Sequence, residues 1–128
     1  MGIWIQISSS GAPIYAQIVA QVESAVARGE LRPGDKIPPV RKLAEELVVN
    51  PNTVARAYQQ LQADRVLEPV RGTGLAVVAG ADKRCRSERL KLIQTRLRQA
   101  MVEARQSGLA LNELRQLIDQ ELAAVEAK

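Results

Sequence analysis

A mainly α-helical fold with one small β-hairpin (α+β) is the class this sequence predicts, and three observations predict it. Apolar residues recur at three- and four-residue spacing in five separate stretches, the mark of amphipathic helices. Asn50-Pro51 is the sharpest helix start in the chain, a good N-cap residue followed by proline at the first helical position. Val66–Val78 holds two short apolar runs on either side of Arg71-Gly72-Thr73-Gly74, whose glycines permit a tight reversal. From Pro38 to Val78 the order is short helix, turn, second helix with an exposed polar face, then hairpin. That order is a winged helix-turn-helix, a device for setting one helix in a DNA groove. The expected architecture is this unit over residues 1–80, followed by a two-helix dimerisation tail over 81–128.

Each element has its own signals. Ile3-Trp4-Ile5-Gln6-Ile7 is apolar and β-branched, a short strand or an arm lying on the domain. Pro13 suits a first helical turn, and Ile14, Ile18, Val22, Ala25 and Val26 then form one stripe that Gly29 brings to an end. Arg32-Pro33-Gly34-Asp35 is a turn by its chemistry, after which Lys36 and Ile37 can pair briefly with the hairpin. Pro38-Pro39 opens the second helix, with Val40, Leu43, Ala44 and Leu47 inward and Arg41, Lys42, Glu45 and Glu46 outward; Val48-Val49 makes the turn. In the third helix Val54, Ala57, Tyr58 and Leu61 are the buried stripe. Ala79–Arg86, small and then basic, reads as a linker. Ser87 is the expected cap of a helix to about Ser107, bearing Leu90, Ile93, Leu97, Ala100, Met101 and Ala104, and Gly108 ends it. Asn112 is the expected cap of the last helix, striped with Leu114, Leu117, Ile118, Leu122 and Val125. Two such helices cannot cover both stripes against each other. Either they dock on the first domain or they meet a second subunit, and a two-fold dimer through residues 87–127 is the commonest solution.

Composition narrows the chemistry. The 128 residues include one Trp, two Tyr and no Phe, so aliphatic side chains do the packing. There is no histidine, and Cys85 is the only cysteine. An internal disulfide is therefore excluded, and metal sites, triads and most acid–base enzymes lose their usual residues. The expectation is no catalytic residue, no metal and no cofactor; Cys85 reads as an incidental thiol, with no base or second cysteine beside it. No run approaches the roughly 18 apolar residues of a membrane span, and no leader pattern opens the chain. A cytoplasmic protein without membrane contact is the default. Eighteen basic residues against 14 acidic give +4, too mild an excess to identify a nucleic-acid binder by itself. The placement of charges has to do that.

On the third helix, the side opposite the apolar stripe carries Asn52, Thr53, Arg56, Gln59 and Gln60. Amides match adenine, guanidinium matches guanine, and a threonine methyl can meet thymine. The same face would also serve as a plain solvated surface. Arg71 at the hairpin tip can reach a minor groove or a phosphate. Lys83, Arg84, Arg86, Arg89 and Lys91 either face DNA or are solvated, as charge runs usually are.

Four segments carry a resemblance: Pro13-Ile14-Tyr15-Ala16-Gln17-Ile18, the run Gly29 to Pro38, Val40-Arg41-Lys42-Leu43-Ala44, and Val49-Asn50-Pro51-Asn52-Thr53-Val54. In register over residues 12–78 they resemble the GntR family of bacterial transcription regulators. The short two-helix tail is similar to that of its YtrA-like subfamily, whose members dimerise through it and often repress operons for ABC transporters. The resemblance implies that Arg41 holds phosphate or a base, that Asn52, Thr53 and Arg56 form the reading part of the recognition helix, and that Arg71, Gly72 and Thr73 form the wing tip. It also marks departures. Pro51 stands where many relatives have arginine, Pro39 where a serine often caps, Leu75-Ala76 where the wing usually has Thr-aromatic, and Val48 and Arg65 where glycines often end helices.

The expected function is a homodimeric, sequence-specific regulator of double-stranded DNA, a repressor by resemblance, acting on a palindromic operator. The competing reading is a winged-helix module whose third helix docks on protein. A small-molecule effector is a further conceivable partner, of no identifiable kind; the aliphatic tail favours a dimer clamp over a ligand site.

Overall fold

The computed structural model describes residues 5–9, 11–72 and 74–127. Among these, the elements are α1 (Ile14–Ala27), α2 (Val40–Leu47), α3 (Pro51–Ala63), β1 (Leu67–Pro69), β2 (Leu75–Val77), α4 (Ala81–Gln106) and α5 (Leu111–Glu126). The chain packs as two compact units, Met1–Arg89 and Leu90–Lys128. The fold is mainly helical with one hairpin, a winged helix-turn-helix followed by C-terminal helices.

In the first unit the predicted stripes close one core. Ile18, Val22, Leu43, Val54, Leu61, Leu67 and Val77 are all shut away from solvent. Helix α3 is the hub, packing on α1, α2 and β1. Tyr58 adds a polar tie from inside this core: its hydroxyl donates to the Pro38 carbonyl at 2.7 Å, fixing the entry to α2 against α3. Burial, and then Glu46, raise the Tyr58 pKa well above the ordinary tyrosine value, so the group remains a neutral donor.

The hairpin is antiparallel, pairing Leu67 with Val77, Glu68 with Ala76 and Pro69 with Leu75. Its outer strand, β1, tolerates Pro69 because an edge has an unpaired side. On the far side of β2 the segment before α2 supplies the brief pairing expected of Lys36 and Ile37. Lys36 bridges Ala76, the Ile37 N–H donates to Leu75 at 3.0 Å, and the Val77 N–H donates to Asp35 at 2.9 Å. A turn aims this segment: Gly34 has φ 91°, accessible because it lacks Cβ, and Asp35 Oδ2 accepts the Arg32 N–H at 2.9 Å.

The N-terminal segment is an arm rather than a strand over its described part; Ile3 and Trp4 lie outside the described residues. Ile5 is buried, and the Gln21 side chain stands in for a neighbouring strand. It accepts the Gln6 N–H at 2.9 Å and donates back to the Gln6 carbonyl at 2.7 Å.

Two helix starts differ from the sequence reading. Ala79–Arg86 is not a linker, because α4 begins at Ala81. Ala81 and Cys85, one turn apart, both enter the core, and the guanidinium groups of Arg84 and Arg89 donate to the carbonyls of Arg65 and Ala20. A pair of small residues at helical spacing outweighs the basic composition around it. Helix α5 starts at Leu111, not after an Asn112 cap: Glu113 reaches back and accepts the Ala110 N–H at 2.9 Å.

Four helix ends share one closure. After α1, α2, α3 and the α4 segment, a residue with positive φ is followed by an N–H that bonds five residues back: Glu30 to Ala25, Val49 to Ala44, Val66 to Leu61 and Leu109 to Ala104. Glycine supplies the positive φ at Gly29 and Gly108. Val48 (φ 56°) and Arg65 (φ 59°) supply it without glycine, as the departures above allow. Each is strained by roughly 1–2 kcal/mol.

The second unit, from Leu90 onward, holds the rest of α4 and then α5. Within it Leu114 is the only buried residue among those described. Leu97 is 59% exposed, Leu122 56% and Val125 69%. Among the described residues, no helix is long and apolar enough to cross a membrane.

Candidate nucleic-acid interface

Helix α3 begins as its sequence dictates. Asn50 is extended (φ −65°, ψ 131°), its side-chain oxygen accepts the Asn52 N–H at 2.8 Å, and Pro51 occupies the first helical position. The cap fixes where the first turn starts, and hence which residues face out. Val54, Ala57, Tyr58 and Leu61 are buried, whereas Asn52, Arg56 and Gln59 are exposed and Thr53 is half-buried. Asn52 and Arg56, four apart, share one face with Thr53 beside them. Gln60 is drawn off that face: its amide donates to both Asp64 carboxylate oxygens at 3.1 Å.

Arg41 sits at the first turn of α2 and is exposed. It lines a surface cleft together with Ala44, Glu45, Val49 and Pro51, so it shares that cleft with the capped start of α3. Arg71 and Gly72 form the turn at the hairpin tip, both exposed, with Gly72 at φ 81° and the Val70 N–H closing onto Gly74 at 2.8 Å. Thr73 lies outside the described residues. The candidate residues thus occupy three elements: the α2 start, the first turns of α3, and the wing tip.

Three contacts were not anticipated. The Arg56 guanidinium carbon stands 3.8 Å from the centroid of the Tyr15 ring, a cation–π contact from α3 to the first turn of α1. Arg84 and Arg89, members of the basic run, bond backbone carbonyls, Arg84 while exposed and Arg89 half-buried. The aromatic in the first segment of the resemblance was a usable hint for Tyr15; nothing in a basic run tells carbonyl-bonded arginines from solvated ones.

At the base of α4, Cys85 is buried, and burial, then Glu23 and Glu88, push its thiol up to about 11. Half-buried Glu23 has a raised carboxyl pKa, mainly through desolvation; Arg89 opposes the shift, while Asp64 and Glu88 add to it. The Cys85 thiol therefore offers little thiolate to chemistry at neutral pH. Among the described residues, no cluster of His, Cys, Asp and Glu could hold a metal ion.

Comparison with known proteins agrees with this geometry. Residues 14–77 match the family described as bacterial regulatory proteins, gntR family. The HTH-type transcriptional repressor YtrA of Bacillus subtilis (strain 168) is 35% identical over 109 residues, which is 85% of this chain and 84% of YtrA. The crystal structure of a transcriptional regulator from Oenococcus oeni has a TM-score of 0.78 at 26% identity, over 91% of this chain and 97% of that one. AraR(DBD) in complex with operator ORE1 has a TM-score of 0.50 at 26% identity, over 61% of this chain and 98% of that chain. All of these relatives are regulators or a DNA-bound domain, and with a family match over residues 14–77 and a relative aligned along most of its length, the chain belongs to the gntR family of bacterial regulatory proteins.

Proposed function

We propose that this regulator is a sequence-specific repressor that binds a palindromic operator as a homodimer, with a transporter operon among its targets. Residues 1–80 read DNA and residues 81–128 pair the subunits. One observation carries the reading: the exposed face at the capped start of α3 presents Asn52 and Arg56, whose side chains hydrogen-bond to no protein group among the described residues. Donors left unspent on a rigid helix are what base edges require.

Each residue then has a role. Arg41, beside the α3 start, and Arg71 at the wing tip neutralise phosphates and set the register. Asn52, Thr53 and Arg56 discriminate bases from the major groove. Gly72, without a side chain, lets the wing backbone approach the duplex closely, and Thr73 completes the wing-tip contact by the resemblance. The pairing of subunits is supported by the aliphatic surface of α4 and α5, where Leu90, Ile93, Leu97, Leu117, Ile118 and Leu122 remain exposed. Two reading heads about one helical turn apart, roughly 10 bp, suit a two-fold symmetric site. The aliphatic character of those residues favours a clamp over a ligand site. The repressor role and the transporter target rest on the likeness to YtrA-like regulators.

The test is selection of a duplex from a library with a randomised core, followed by titration at two salt concentrations. A steep salt slope, a uniform loss of affinity in Arg41→Ala and a relaxed sequence preference in Asn52→Ala are expected. Equal losses on selected and random duplexes for Asn52→Ala would remove its reading role. Absence of any enriched duplex would leave the third helix as a protein-docking face. Sedimentation of the same sample reports the dimer.

A further inference from the structure

Three arginines of the first unit are spent on the protein itself. Arg28 binds Glu30 through two nitrogens, at 3.1 and 3.0 Å, while Arg84 and Arg89 bond backbone carbonyls. Arg56 is held in a different way. Its Cζ lies over the Tyr15 ring at 3.8 Å, too close for an N–H to point between them, so the guanidinium stacks by its face. Stacking uses the π surface and leaves the in-plane N–H donors free, and those donors are the ones that fit two acceptors side by side.

The ring beneath is itself fixed. Tyr15 is half-buried and packs against the core. Its turn of α1 is braced by Gln17, which accepts the Ser8 N–H at 2.8 Å and donates to the Ala12 carbonyl at 2.9 Å. A long side chain that would otherwise sample many rotamers is therefore partly ordered before any partner arrives, which lowers the entropy lost on binding.

We propose that Tyr15 is a positioning residue for operator reading: its ring sets the Arg56 guanidinium edge-outward, so that Arg56 reads the O6 and N7 of a guanine and the operator carries a G·C pair at that position. The proposal rests on the DNA-reading function above and adds to it a residue on a different helix and a base identity. Arginine's paired donors match guanine in the major groove better than any other base.

The experiment uses the full-length protein and the duplex selected by it, with every core base pair substituted in turn. Arg56→Ala is expected to lose preference at one G·C position. Tyr15→Leu is expected to weaken binding about two- to five-fold, the range of an exposed cation–π contact, at that same position only. Tyr15→Phe, which keeps the ring, is expected to bind as the parent does. In the Arg56→Ala background, Tyr15→Leu is expected to change nothing further, because the two residues act through one contact. Should Tyr15→Leu fail to fold, Tyr15→Met serves instead: it keeps a long apolar side chain but removes the ring, and the same loss at that one position is expected. Equal effects of Tyr15→Leu with and without Arg56, or a loss spread over all positions, would make the ring merely structural and overturn the inference. So would an Arg56→Ala protein with unchanged preference, although Asn52→Ala relaxing it would leave the DNA-reading function standing. If no duplex is enriched, both fall.

Discussion

The two compact units are built from the same aliphatic periodicity and end with opposite surfaces. In Met1–Arg89, Ile18, Val22, Val54 and Leu61 are wholly enclosed, whereas in Leu90–Lys128 Leu97 and Leu122 stay more than half exposed. The difference is the number of neighbours each helix has. Helix α3 meets α1, α2 and the hairpin, so its stripe is covered from several sides. The second unit holds only two helices, so neither has more than one neighbour within it, and a broad stripe outruns that. Periodicity states that a face must be covered; it does not name the cover.

The contrast can be broken most forcefully by truncating one leucine in each unit. Leu61→Ala, at a fully buried site, is expected to cost about 2–5 kcal/mol of unfolding free energy in chemical denaturation. Leu97→Ala removes a side chain already in water within the chain, so it should leave the unfolding of the first unit alone and, on the proposed pairing of subunits, raise the concentration at which they dissociate in sedimentation. Comparable losses of first-unit stability in both variants would erase the distinction.

A smaller effect sharpens it from the other direction. Val48 is 89% exposed at φ 56°, strained and packed against nothing. Val48→Gly releases that strain, partly offset by the extra freedom glycine has in the unfolded chain. The expected net gain is about 0.5–1 kcal/mol, read as a higher melting temperature of the first unit. Arg65→Gly should gain similarly, since the main-chain carbonyl that accepts from Arg84 is kept.

The smallest effect depends on pH. Glu23 holds its proton more tightly in the folded chain than an ordinary glutamate does, chiefly through desolvation. Its contribution to stability is full below the ordinary glutamate range and is lost as pH rises through the raised value. Glu23→Gln should therefore raise the melting temperature at neutral pH and give no gain in acid. A gain independent of pH would place the cause elsewhere.

Legibility followed local chemistry. Asn50-Pro51 announced α3 because a cap and a proline act through the residues beside them, and the exposed or half-exposed placement of Asn52, Thr53 and Arg56 followed from that start. The glycines between two apolar runs announced the hairpin for the same reason, and Lys36 pairing with Ala76 followed from the turn before it. The foot of α4 was not legible: Ala81 and Cys85 are too small to register as a stripe, and Arg84 and Arg89 find carbonyls that only the folded chain brings near. The Tyr15–Arg56 contact spans 41 positions and depends on how α1 crosses α3. No local pattern encodes it.

The lone thiol at the base of α4 has a practical consequence. Cys85 reacts with an alkylating reagent only when that foot lifts away from the helices beneath it, and there is no second sulfhydryl to confuse the signal. Labelling rates measured with and without added duplex would thus time how often the first unit lets go of the helix that leads out of it.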